Sequence, residues 1–326
     1  MGRLVRRRLK RAAGVFAACL GVLVVSGMLI KWLAPVYPPD GALIEVADSR
    51  IHLHCEGSSH GVPTLVTEHA MGMNAQSFHW LQQALASELR VCRYDRAGIG
   101  FSDASLRSRD GETVAADLHE LLHRAQVPPP YVLAGHSLGG VYARLFARRY
   151  ASEVAGLVLI DSAHHRQWHA TAHDDGSSTT FPTAGVPALR GLALLADLGL
   201  VQLIVTFGGL ADDGLPPRAA AANLMFFRSG KHLRATANEL AATPRVLAQL
   251  EHAGSLGDTP LLVITAGVRE AAERARWDAM QADLARLSTR SAHAVRAGAT
   301  HQTLLTRREH AAWMAARIRD LYRRLR

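Results

Sequence analysis

The stretch that most restricts how this chain can fold is Gly135-His136-Ser137-Leu138-Gly139-Gly140. Before it, Tyr131-Val132-Leu133-Ala134 is a short apolar run that predicts a buried strand. After it, Leu138, Val141, Tyr142, Leu145 and Phe146 recur at helical spacing, with Arg144, Arg148 and Arg149 on the opposite face. A strand must therefore pass into a helix through a very tight turn. The glycines leave room for that turn, which holds the Ser137 hydroxyl clear of the backbone at the positive end of the new helix. The plainer alternative is a serine that only caps a helix.

A serine hydroxyl is a poor nucleophile unless a base takes its proton and an acid orients that base. With 17 histidines in the chain, position has to choose among them. His301 closes Gly298-Ala299-Thr300-His301, between an apolar segment (Ala292 to Val295) and an amphipathic helix (Glu309 to Leu325). His293 falls inside that segment and His310 inside that helix, where neither can swing onto Ser137. His301 is the expected base. Two carboxylates compete to orient it. Leu157-Val158-Leu159-Ile160 is an apolar strand ending in Asp161. Leu261-Leu262-Val263-Ile264 is another, followed by Thr265-Ala266-Gly267 and then Glu270. Asp161 stands at a strand tip with no loop slack and is preferred. Glu270 opens a charged stretch with Glu273, Arg274 and Arg276, next to Arg269, that reads as a solvated helix face; it stays the alternative acid.

Together these segments resemble the α/β-hydrolase superfamily, in its serine esterase-like branch with a helical cap. Arg93-Tyr94-Asp95-Arg96-Ala97-Gly98-Ile99-Gly100-Phe101-Ser102 is similar to the D-R-x-G-x-G-x-S segment after that superfamily's fourth strand. Pro130 to Ser137 and Gly156 to Ser162 match the strands before and after the elbow. The resemblance spans roughly residues 43–161 and 259–325. It implies an α/β fold with a mostly parallel central sheet, an α-helical cap insertion, a nucleophile–acid–base order along the chain, and no cofactor. It also implies an oxyanion loop at His69-Ala70-Met71-Gly72, where alanine replaces the usual first glycine. The Met71 and Leu138 amides would then form the oxyanion hole, each contributing about 3–4 kcal/mol to the transition state. The usual acid after the seventh strand is missing, and Asp161 aligns with the position after the sixth strand that some members use. An aspartate nucleophile of the dehalogenase kind is not expected, because Ser137 occupies its place.

The 326 residues, 48% of them hydrophobic, suffice for one large α/β domain with an insertion. The expected organisation is a basic tail at 1–11, an anchor at 12–33, a hydrolase core at 34–161 and 258–326, and a helical cap at 162–257. The net charge of +9 is concentrated in Arg3, Arg6, Arg7, Arg8, Lys10 and Arg11; setting those six aside leaves +3. No face interleaves aromatic and basic residues, so nucleic acid is not an expected partner. Ala12 to Ile30 is a run of 19 residues without charge, close to the ~20 that a transmembrane helix needs. Basic residues on its N-terminal side predict a single pass with a cytoplasmic N-terminus and an extracytoplasmic catalytic domain. A cleaved signal peptide is the competing reading, but its apolar region normally ends after about 7–15 residues at a small-x-small site. This run ends instead in Met28-Leu29-Ile30-Lys31-Trp32. Trp32 and Tyr37 suit a membrane interface, and Pro35, Pro38 and Pro39 suit a stiff linker.

Of three cysteines, Cys19 lies in the apolar run. Cys55 and Cys92 fall on the second and fourth strands, which are neighbours in the superfamily's sheet. Two readings stay open for them, a disulfide or two buried apolar side chains. No Cys/His spacing suggests a metal site. Past Asp161 the strand–helix alternation stops. His164, His165, His169 and His173 and the polar residues 174–180 read as a solvated loop. Leu189 to Leu210 reads as a pair of cap helices rather than a second membrane span, and Leu224-Met225-Phe226-Phe227 adds apolar bulk suited to an acyl substrate. The expectation is a membrane-anchored serine hydrolase, a carboxylesterase or lipase-like enzyme acting on an apolar ester through an acyl-enzyme. A peptidase or amidase of the same fold, and a non-catalytic ligand-binding relative, are the alternatives.

Overall fold

A computed structural model of the chain describes residues 2–59, 61–167, 183–208, 214–251 and 254–325. Among these residues eight strands form one sheet: β1 (Ala42–Val46), β2 (Ser49–Glu56), β3 (Thr64–Glu68), β4 (Val91–Tyr94), β5 (Tyr131–His136), β6 (Val154–Ile160), β7 (Leu261–Ala266) and β8 (Ser291–Arg296). Their order across the sheet is β1-β2-β4-β3-β5-β6-β7-β8. Strands β3 to β8 run parallel, and β2 is antiparallel to both its neighbours. The inner strands read as continuous apolar runs because helices cover both faces of the sheet. The helix α1 (Gly2–Leu33) precedes the sheet. On one sheet face Leu65, Val132, Val158 and Ile160 pack against α2 (His79–Leu85) and the late helix that follows β8. On the other face Val66, Leu133, Leu157 and Leu159 pack against α3 (Gly111–Arg124) and α4 (Leu138–Arg149).

Among the described residues four helices lie between β6 and β7: α5 (Gly185–Asp197), α6 (Leu200–Gly208), α7 (Pro217–Phe227) and α8 (Gly230–Glu251). Three more follow β7: α9 (Ala271–Ala285), α10 (Thr303–Thr306) and α11 (Arg308–Arg323). The stretch read as a helix pair, Leu189 to Leu210, is α5 and α6 as far as residue 208, with an angle of 86° between them. His169, His173, residues 174–180 and Leu210 lie outside the described residues. His164 does not lie in a solvated loop. It is buried, and its Nε2 is 2.9 Å from Asp283 Oδ2 on α9. Arg144 also departs from expectation. It falls on the face of α4 opposite the apolar one, yet it is buried at 3% exposure, beside residues 254–259 and near Asp283 of α9.

Cys55 and Cys92 sit directly opposite each other on β2 and β4 and form a disulfide. Of the two readings left open, the bridge is the one found.

Candidate active site

Parallel strands deliver their C-terminal ends to one edge of the sheet, where open α/β sheets bind ligands. Four segments meet at this edge: the loops after β3, β5, β6 and β8. Between β5 and α4, Ser137 has φ 55° and ψ −121°, a left-handed backbone rare outside glycine. Its amide donates to the Ile160 carbonyl at 3.1 Å, which ties the turn to the end of β6. Gly139 is required here, since a Cβ on it would stand 2.2 Å from the Glu68 carbonyl oxygen. The loop after β3 therefore rests on the first turn of α4.

At the end of β6, Asp161 is fully buried and also adopts positive φ, 41°. Its Oδ2 lies 2.6 Å from His301 Nδ1, in the loop between β8 and α10. Glu270, the alternative acid, is exposed at the N-cap of α9 and makes no hydrogen bond with His301 among the described residues. Three further donors converge on Asp161: the Ala266 amide at 3.1 Å, Trp277 Nε1 at 2.8 Å and an Arg269 guanidinium nitrogen at 2.8 Å. Burial alone pushes the Asp161 carboxyl up. The hydrogen bonds from His301, Trp277 and the Ala266 amide reverse that and hold it below its ordinary value. Arg269 belongs to the stretch read as a solvated face. It turns inward instead and lies over the Trp277 ring, 4.0 Å from its centroid.

His136 shapes the site from below. Burial and the nearby His301 push its pKa down to about 3, so the ring is neutral. As a neutral ring it donates from Nε2 to the His301 carbonyl at 2.9 Å and fastens the loop that carries the candidate base.

The loop after β3 is held by its carbonyls. Arg96 donates to the His69 carbonyl at 2.8 Å and to the Ala70 carbonyl at 3.2 Å. His232, from α8, donates Nε2–H to the Gly72 carbonyl at 2.9 Å. In a planar trans peptide N–H and C=O point opposite ways. With the Ala70 carbonyl turned to Arg96, the Met71 N–H is directed away from it. Leu138 is the first residue of α4, so its N–H has no acceptor within the helix. Arg96 is itself fully buried and clamps two carboxylates, Glu239 of α8 at 2.7 and 3.0 Å and Glu68 at 3.1 Å. Asp95 beside it accepts from the Ala75 and Phe101 amides and from His52. The Asp95-Arg96 motif thus ties the sheet, the loop after β3 and α8 into one unit.

The family model for the alpha/beta hydrolase fold matches residues 63–179. The chain carries the α/β-hydrolase fold and is similar to that family over this segment. The uncharacterized protein YbdG of Bacillus subtilis is 26% identical over 197 residues, 59% of this chain and 57% of that one. YqjL of the same organism, also uncharacterized, is 34% identical over 136 residues, 42% and 51% of the two chains. The chain spans about half the length of the curated relatives it matches. Among solved structures, an esterase from Thermogutta terrifontis matches at TM-score 0.60 and 20% identity, covering 87% of this chain and 98% of that one. An enol-lactonase from Burkholderia xenovorans LB400 matches at 0.61 and 19%, covering 86% and 99%. A putative epoxide hydrolase from Pseudomonas aeruginosa matches at 0.65 and 18%, covering 90% and 99%.

In this fold apolar side chains border the Met71–Leu138 region. Val186 and Leu189 of α5 and Leu240 of α8 pack beside Met71, and Leu247 of α8 packs near Leu138. Phe226, part of the apolar bulk of the cap, packs edge-on against Phe101, with ring centroids 4.8 Å apart. The roles of Arg269, Trp277, Glu68, Glu239 and His136 were missed at the level of sequence. Each acts through a partner remote in the chain, and no local pattern announces such a partner.

Proposed function

We propose that this protein is a membrane-anchored serine hydrolase of carboxylesterase type, acting on an apolar ester. The observation that carries the reading is the Asp161–His301 pair standing at the same sheet edge as the positive-φ serine of the β5–α4 turn. In this reading Ser137 Oγ attacks the ester carbonyl while His301 Nε2 takes its proton. Asp161 holds Nδ1–H, which keeps the free Nε2 turned to the serine and stabilises the imidazolium. The carbonyl oxygen becomes an oxyanion, received by the Met71 and Leu138 N–H groups. His301 then returns the proton to the leaving alkoxide, and the acyl group remains on Ser137. Water, deprotonated by His301, attacks the acyl-enzyme and frees the acid. No step draws on a cofactor. The apolar residues Val186, Leu189, Leu240 and Leu247 support an apolar acyl or alcohol part.

The anchor in this reading is α1, a 32-residue helix that is long and apolar enough to cross a bilayer. Its basic N-terminal end lies in the cytoplasm and the hydrolase on the other side.

A serine-reactive fluorophosphonate probe on the full-length chain tests the chemistry. Labelling of the native protein, and its loss in Ser137→Ala, is the expected result. Undiminished labelling of Ser137→Ala would reject the nucleophile. A folded native protein that takes no label would leave a ligand-binding relative as the reading. Faster turnover of anilides than of matched esters would move the assignment to an amidase.

A further inference from the structure

The apolar surface of α1 continues onto the cap. On α1 the residues that lose exposure are Val24, Ser26, Gly27 and Ile30, on the side that meets α6. The contact is backbone to backbone: a Cβ on Gly27 would stand 2.5 Å from the Gly199 carbonyl oxygen, and one on Gly199 would stand 2.4 Å from the Gly27 carbonyl carbon. One turn further along, Lys31 Nζ donates to the Ala196 carbonyl at the end of α5, at 3.0 Å. At 1.5 Å per residue, the Gly27–Gly199 contact lies about 6 Å below Lys31 along the α1 axis. That is within the ~5–10 Å to which interfacial helices bury their apolar faces.

The α5–α6 pair carries large apolar side chains on its outer surface. Leu194 and Ile204 are 60% and 64% exposed, and Leu192, Leu195 and Leu198 are exposed as well. Such a contiguous face is costly in water and marks a contact surface. A groove of about 300 Å³ borders it where α1, α6, α7 and α8 meet. Lys31, Arg228, Lys231 and Arg234 line this groove against the single carboxylate of Asp197, a balance that suits anionic headgroups. At its other end α5 reaches the candidate site, since Val186 and Leu189 pack beside Met71. One helix of 13 residues therefore runs from the membrane helix to the loop after β3.

We propose that the α5–α6 pair is itself seated in the outer leaflet beside α1, with a lipid bilayer as its partner. This rests on the reading of α1 as a membrane span. It assigns a source to the apolar ester: a lipid-dissolved molecule that reaches the site along α5 without crossing bulk water.

Depth-dependent quenching tests it on the full chain. Cys19→Ser removes the free thiol, the Cys55–Cys92 bridge takes no label, and a single NBD-labelled cysteine replaces Val22, Leu194, Ile204 or Arg286 in turn. Arg286 follows α9, at the sheet edge opposite the cap. Each protein is reconstituted in phosphatidylcholine–phosphatidylglycerol vesicles with or without doxyl-labelled lipid, and turnover of a short soluble ester verifies folding. Labels at Val22, Leu194 and Ile204 should lose emission to doxyl lipid, while the label at Arg286 should respond only to aqueous iodide. Quenching by lipid at Val22 with iodide quenching at both Leu194 and Ile204 would overturn the seated cap and leave the anchor standing. Iodide quenching at Val22 as well would overturn the anchor and this inference with it.

Discussion

Arg269 and His301 meet the same atom, Oδ2 of Asp161, at 2.8 and 2.6 Å. The carboxylate is thus shared between the candidate base and a cation stacked on Trp277. With Trp277 and the Ala266 amide on the other oxygen, Asp161 has little freedom to rotate. Arg269 is the piece that can be removed without touching the reacting groups. Its hydrogen bond to a buried charge is worth about 1.5–3 kcal/mol. Arg269→Gln should lower the unfolding free energy read from urea titration by an amount in that range, with a matching fall in the midpoint, and reduce kcat for ester hydrolysis. Arg269→Lys keeps the charge but not the planar stack, so it should recover part of the loss. Unchanged kcat and midpoint in Arg269→Gln would remove Arg269 from the positioning of Asp161.

The contact between Asp161 and His301 also sets apart the two candidate acids. Asp161→Asn should lower kcat/KM by about four orders of magnitude, since an amide in that place favours the wrong imidazole tautomer. Glu270→Gln should change it little, because Glu270 is exposed at the start of α9. Steady-state kinetics on both variants decides the matter, and the reverse pattern would transfer the role to Glu270.

Glu68 supplies a pH dependence. Burial pushes its carboxyl from 4.5 up to about 7, against the lowering pull of Arg96. Between those two values the folded chain holds a proton that the unfolded chain has released. Stability attributable to this group is therefore complete below pH 4.5 and falls as pH rises through 7. The loss is on the order of 3 kcal/mol. Glu68→Gln, which keeps hydrogen-bonding partners for Tyr94 and Arg96, should flatten this slope and gain relative to the native chain above pH 7. Urea unfolding of both proteins from pH 4 to pH 8 reads the difference, and parallel curves would refute it.

The α1 reading predicts behaviour in fractionation. Full-length protein should stay with membranes through high salt and alkaline carbonate, because a span holds by hydrophobic insertion rather than by charge. A reporter joined after Arg326 should be active only if it works outside the cytoplasm. A full-length chain recovered from the soluble fraction with residues 1–30 intact would contradict the anchor, and a mature N-terminus near residue 34 would favour a cleaved leader.

Local pattern sufficed for much of this molecule. The apolar run before Ser137, the helical spacing after it and the flanking glycines announce a strand–turn–helix, and the turn carries positive φ at Ser137. The choice of His301 over His293 and His310 also came from position within elements, and the chain folds with those two in β8 and α11. The uncharged run from Ala12 to Ile30 is likewise legible as one continuous helix.

What periodicity could not show is which distant residue fills a buried valence. Arg269 stands in a run of charges that looks solvated, and only the approach of β7 to β6 brings it onto Asp161. Arg144 falls on the polar side of α4 by spacing, yet it is buried beside residues 254–259 and near Asp283 of α9. Cys55 and Cys92 become a bridge only because β2 and β4 place them in register. Side-chain type and spacing determined the elements, since these depend on neighbours along the chain. The tertiary structure decided how Asp161, Arg96 and Gly27 are partnered, since a buried charge or a close backbone approach is resolved by whatever the fold packs against it.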